Sequence, residues 1–231
     1  MTFRDILTPK FKNRIKVLTD DANDWLRDLG KNDIIHSKNI ERRLDKLVPN
    51  EIKNNKNIFN VTEIFFLLYA IYLHDIGRKF GDEYHEKRTY DEIKNSFQKF
   101  KLNNIYEAEA VAEICYGHAE ESERSIKDIT PAYELDGYET SNLQFLAALL
   151  RLADEIDNTY RRVENVESQK GKIRNLIRDI HIDPYQWVIK ILPSTDIDMK
   201  DFLELKTLKE SIQRRLDEII DILEPKGLLY C

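Results

Sequence analysis

The chain has 231 residues, 42% of them hydrophobic, which suffices for a sizeable core in one large domain or a domain with a small appendage and excludes native disorder. A formal charge of −6 with no large basic block argues against a dedicated duplex-DNA binder, whereas a small anionic ligand needs only a local cluster of cations. Scarce glycine (7) and proline (6) favour helix over sheet, and two cysteines, Cys115 and Cys231, make no disulfide framework and point to a reducing, cytoplasmic setting.

The first segment, MTFRDILTPKFKNRIK, carries charge throughout, so no signal peptide is expected. Phe11, Ile15, Leu18, Trp25, Leu26 and Leu29 make it an amphipathic helix that Gly30 can stop. A second helix starts near Asp33, a candidate N-cap, and its apolar positions Ile40, Leu44 and Leu47 place His36 on the inward face one turn earlier. The third, over residues 61–74, is apolar on nearly every side and is expected at the centre of the core. Its longest apolar run, 64–73, would cover only about 15 Å, half a bilayer core, so no membrane association is expected. His74 and Asp75 end this helix, and Gly77 lets the chain turn.

A fourth helix is expected over residues 82–100, with His85, Thr89, Ile93 and Phe97 on one stripe, and a fifth over 104–117, delivering His118 at its end. Residues 119–138 read as a long loop at the rim of a site. A sixth helix, capped by Thr140 or Ser141 and continuing through Arg162, puts Arg151, Asp154, Asn158 and Arg161 on one face. An inward Asp154 on so apolar a helix needs a partner, because burying a lone carboxylate is costly. Beyond it, 177–183 and 186–192 alternate as a β-hairpin about Asp183-Pro184-Tyr185, and Leu205, Leu208, Ile212, Leu216, Ile219 and Leu223 mark a final helix. The expected fold is mostly α, with a helical domain over 1–169 and a small α+β appendage over 170–231 that packs on it and leads on to a further module.

His36, His74-Asp75, His85, His118 and Asp154 are ligand candidates borne by several helices. Imidazole mixed with carboxylate suits manganese, iron, cobalt or zinc better than magnesium or calcium, and nickel is also compatible. There is no CxxC and no HExxH. An adjacent His-Asp pair has a specific use: the histidine binds one metal while the carboxylate bridges to a second. Two metals about 3.5 to 4 Å apart lower the pKa of a bridging water and clamp the oxygens of an in-line phosphoryl displacement. His181, Tyr72, Phe65 and Phe66 are left to packing, and the basic run in IERRLDKL to a solvated face.

Through His36, HDIGR (His74, Asp75), HEKRT (His85), YGHAEE (His118) and LLRLADEID (Asp154), residues 30–163 resemble the HD superfamily of metal-dependent phosphohydrolases. HDIGR, HEKRT and LADEIDNTYRR look most like the bacterial HD domains of conflict and effector systems, the HD-CE type, often fused to an ATPase module. The resemblance implies a helical bundle, with one metal held by His36, His74, Asp75 and Asp154 and a second held by His85 and His118, which shares Asp75. Related cyclic-di-GMP phosphodiesterases carry a GYP motif, a second histidine and a lysine where this chain has no GYP, Ala119 and Arg78. The departures argue against a third metal and against that substrate. Arg78 can clamp a phosphate bidentately, with Lys79, Arg88, Asn158 and Arg161 as further substrate contacts.

The expected activity is hydrolysis of a nucleotide or related phosphoester by a metal-bridging hydroxide, with Asp75 and Arg78 as the catalytic pair and two metals per chain, manganese or iron first. The alternatives are a metal-containing module that senses a nucleotide for a partner or fused ATPase, a homo-oligomer among its forms, and a single-strand nuclease, which the acidic balance disfavours.

Overall fold

A computed structural model describes residues 1–27, 33–81, 83–119, 124–159, 168–183, 188–193 and 197–228. The chain divides into two compact units, Met1–Arg151 and Leu152–Cys231.

In the first unit, α1 (Phe3–Ile6) and α2 (Pro9–Arg27) precede α3 (Asp33–Leu47) and the short α4 (Asn50–Lys53). Next come α5 (Val61–Leu73), a 3-10 turn (Ile76–Phe80), α6 (His85–Asn95), α7 (Ile105–Tyr116), a second 3-10 turn (Ile126–Asp128) and α8 (Leu143–Glu155), whose last turn lies beyond Arg151. The centre is α5, as its all-round apolarity requires: residues 62 to 73 are buried without exception, and α1, α2, α3 and α7 pack around it. Its start is fixed by a capping box in which Asn60 accepts from the Glu63 amide and Glu63 accepts from the Asn60 amide. The other Glu63 oxygen accepts from the Asn142 amide, tying the start of α5 to the approach to α8.

Two charged clusters brace the bundle. Arg14 makes a bidentate pair with the buried Glu107 and stacks over Phe65, and Arg4 bridges Glu41 and the Tyr72 hydroxyl. Burial pushes the Tyr72 phenol well up and the Glu41 carboxylate pushes the same way, so it stays a hydroxyl that donates to Glu41.

In the second unit, α9 (Gln169–Asn175) leads into an antiparallel pair, β1 (Ile177–Asp183) and β2 (Val188–Pro193), followed by α10 (Met199–Leu223). Helix α10 packs on β2 and α9 through Leu205, Ile212, Leu216, Ile219 and Leu223. The molecule is thus mostly α, with one hairpin followed by a C-terminal helix. Part of the expected turn, Pro184 and Tyr185, lies outside the described residues.

Several boundaries differ from the sequence pattern. Helix α6 spans His85–Asn95 rather than 82–100, because Tyr84 takes a left-handed conformation (φ 52°) at its N-cap and the helix ends at Ser96. The cap of α8 is Asn142, whose side chain accepts from the Phe145 amide, rather than Thr140 or Ser141. That helix ends at Glu155 because the Asn158 amide group turns back to the Glu155 carbonyl, so Asn158 is not on a continued helical face. Helix α9 is an addition within a stretch too polar to show a periodic stripe, started by the Ser168 hydroxyl, which accepts from the Gly171 amide.

Candidate metal centre

Everything converges on the C-terminal end of α5. His74 is the C-cap of that helix and Asp75 follows it, both buried. The inward face of α3 supplies His36, one turn before Ile40 and buried as its position demands. His85 is the first residue of α6, and His118 follows the last residue of α7 by two. The four histidines divide between the two oxygens of one carboxylate. His36 Nε2 and His74 Nε2 lie 3.9 and 3.4 Å from Asp75 Oδ2. His85 Nε2 and His118 Nε2 lie 3.4 and 3.8 Å from Asp75 Oδ1. His36, His74 and Asp75, and likewise Asp75, His85 and His118, are groups that could hold a metal ion, their ligand atoms within 4.8 Å of one another.

The donor set fits such an ion. A carbonyl oxygen only accepts, so the imidazole nitrogen facing one must carry its proton. His74 Nδ1 donates to the Ile71 carbonyl at 2.9 Å, and His118 Nδ1 donates to the Cys115 carbonyl. In the neutral ring this leaves each Nε2 a lone pair toward Asp75, the tautomer a divalent metal requires. For His85 the residue beyond Nδ1 is a carboxylate, the buried Glu86, at 3.5 Å. Burial pushes the Asp75 carboxyl up, but the His74 ring when protonated at Nε2, the Arg78 guanidinium, and hydrogen bonds from protonated His74 and His85 outweigh it and hold Asp75 well below the usual carboxylate range; a metal ion would take the place of those Nε2 protons. Burial, with the Asp75 charge adding to it, pushes the Cys115 thiol well up, so that cysteine is an inert packing residue.

One hydroxyl holds the two halves of the site in register. Thr89 Oγ1, fully buried on α6, donates to the His74 carbonyl at 3.0 Å and accepts from the Gly77 amide at 2.9 Å. Gly77 makes this approach possible, since a Cβ there would stand 2.1 Å from the His85 carbonyl oxygen and 2.6 Å from the Thr89 nitrogen. On the other flank, a Cβ on Gly117 would meet Ile129 and Ala147 at 2.3 and 2.8 Å, so the residue that delivers His118 is also a glycine for want of space. The family model HD-CE matches residues 18–221.

The chain belongs to the HD-CE family. No curated protein and no solved structure matches it. This HD-CE chain thus carries an HD-type domain with buried histidine and aspartate groups that fit a metal ion, and no helix among its described residues is long and apolar enough to cross a membrane.

The residues expected to touch substrate fall in different places. Arg78 is at the centre, its Nε 2.9 Å from Asp75 Oδ1. Lys79 pairs with Glu92 at 2.7 Å and lies over the Phe80 ring, and Arg88 is bound to the Phe80 and Gly81 carbonyls, which closes the turn after the His-Asp pair. Asp154, half-buried, and Asn158 belong to the second unit, where Asn158 Oδ1 accepts from Arg174. Arg161 lies outside the described residues. His181 belongs to the second unit, exposed on β1 beside Asp179. Sequence reasoning missed the role of Glu86, which gives no periodic signal. Thr89 did leave a trace, as a polar residue one turn after His85 on the stripe that continues to Ile93.

Proposed function

We propose that this HD-CE chain is a metal-dependent phosphohydrolase that acts on a nucleotide or a related phosphoester. The observation that carries this reading is the division of four histidines between the two oxygens of Asp75. His36 and His74 would hold one metal and His85 and His118 a second, Asp75 being common to both. Manganese or iron suits this mixture of imidazole and carboxylate. When bound, such metals supply Lewis acidity to a phosphoryl oxygen and lower the pKa of a coordinated water.

The remaining work falls to the chain. Asp75 is deprotonated in advance, so no proton has to leave it before it serves as a ligand. The Ile71 and Cys115 carbonyls keep His74 and His118 in the required tautomer. Arg78, partly exposed beside Asp75, offers a planar guanidinium to a phosphate oxygen arriving at the same carboxylate. Burial of His36, His74 and His118 excludes bulk water and strengthens each of these interactions.

The test combines metal analysis of the purified protein with hydrolysis of a nucleotide panel in manganese. We expect up to about two transition metals per chain and turnover of at least one member. Protein that holds metal and binds a nucleotide yet hydrolyses none would instead be a sensor module.

A further inference from the structure

We infer that Phe80 and Tyr84 form a nucleobase-stacking subsite at the mouth of the metal centre. This rests on the phosphohydrolase reading above and adds the part of the substrate that the Asp75 cluster does not address. Both rings are large, apolar-faced and 57% exposed, an exposure shared in this unit by Tyr106, which has no candidate ligand beside it in sequence, whereas Phe65, Phe66, Tyr69 and Tyr72 build the core. Their place in the chain is specific. Phe80 is two residues from Arg78 in the same 3-10 turn, and Tyr84 immediately precedes His85, about 3.8 Å from Cα to Cα. Arg78 and His85 each reach Asp75 Oδ1, at 2.9 and 3.4 Å, so both ends of this stretch are pinned to the carboxylate.

The rings are carried on a braced backbone. Arg88 holds the Phe80 and Gly81 carbonyls with its guanidinium and donates its amide to the Tyr84 carbonyl. Lys79, paired with Glu92, lies over the Phe80 ring 4.6 Å from its centroid. Tyr84 also sits in the left-handed region at φ 52°, which a bulky residue adopts only when its surroundings impose it, and such strain gathers at functional sites. Strain spent on an exposed ring beside a ligand histidine is accounted for by what that ring meets.

A nucleobase fits those constraints. It has two flat π-faces, is joined through a sugar to the phosphate that Arg78 and the Asp75 cluster would take, and stacks on aromatic rings whatever its sequence context. The chain's charge of −6 favours a single nucleotide over a long polyanion as the molecule so held.

The experiment titrates manganese-loaded full-length protein with adenosine 5′-monophosphate and with ribose 5-phosphate, read by calorimetry. Wild type is expected to bind the nucleotide about tenfold or more tightly than the sugar phosphate. A Phe80→Ala/Tyr84→Ala double variant should lose that preference while keeping its metal content, circular dichroism and ribose 5-phosphate affinity, and Tyr84→Phe should retain the preference. Equal affinity of wild type for the two probes, or a preference that survives in the double variant, overturns the subsite and leaves the phosphohydrolase reading standing. Wild type that takes neither probe overturns both. A double variant that loses metal or helical signal shows that the rings serve the fold, and overturns the subsite as well.

Discussion

The two sides of Asp75 are chemically alike and physically different. Facing Oδ2, His36 and His74 expose 2% of their side chains each and stand on α3 and at the end of α5, the most enclosed part of the bundle. Facing Oδ1, His85 exposes 15% and stands at the start of α6, with Arg78 alongside. Equal ligand types at unequal depth imply a division of labour. The Oδ2 pair is built into the core, as is His118 at 3%, and on the proposed function a substrate would arrive on the side of His85 and Arg78.

That contrast can be broken from its hinge outward. Asp75→Asn removes the shared charge and should abolish metal binding on both sides, with activity reduced by at least about 10²-fold, whereas full metal retention measured by mass spectrometry would remove the bridging role. His85→Ala should leave the Oδ2 side loaded and lower metal content by about one equivalent, and His36→Ala should do the converse at greater cost to the fold. Gly77→Ala drives a methyl group into the backbone of α6 and should destabilise the protein by about 3 kcal/mol, seen in thermal unfolding, with the Oδ1 side disturbed more than the Oδ2 side.

Thr89→Val keeps shape but leaves the buried Gly77 amide and His74 carbonyl without the hydroxyl. It should cost about 2 kcal/mol and weaken the Oδ1 metal first, with Thr89→Ser restoring most of both. The smallest effect is expected about 16 Å along α7 from His118, at Glu107. Burial pushes that carboxyl up, but Arg14, the Asn103 amide and Tyr138 outweigh it, so its value is lowered on folding. A depressed carboxyl stabilises the fold above its unfolded pKa of about 4.3 and loses that contribution as pH falls through the folded value. Glu107→Gln should therefore cost about 1 kcal/mol at pH 7, converge with wild type in acid, and leave both sides of Asp75 loaded.

The candidate ligands that gather around Asp75 were legible in the sequence because each sits where a simple rule reaches it. His36 falls on an apolar stripe, His74 and Asp75 end an all-apolar helix, and His118 follows a well-capped one. What stayed hidden depends on contacts between elements. The shortened start of α6 follows from the left-handed Tyr84 and from the pressing of Gly77 against His85, neither of which leaves a mark on hydropathy. Lys79 and Arg88 read as phosphate ligands because positive charge beside a metal motif suggests one. Their partners Glu92 and the Phe80 and Gly81 carbonyls come into view only in three dimensions. The end of α8 at Glu155 was set by a single side-chain amide folding back on the helix, a local competition that apolar periodicity outvotes on paper.

The Gly77 amide has a further use. Its proton goes to the Thr89 hydroxyl instead of a helical carbonyl, in a spot closed to water. Exchange with deuterium at this position requires the turn to lift from α6, which is the same movement that would draw His85 away from Asp75. A single backbone resonance is therefore a native clock for how often the outer half of the site comes apart, readable without substrate or added metal.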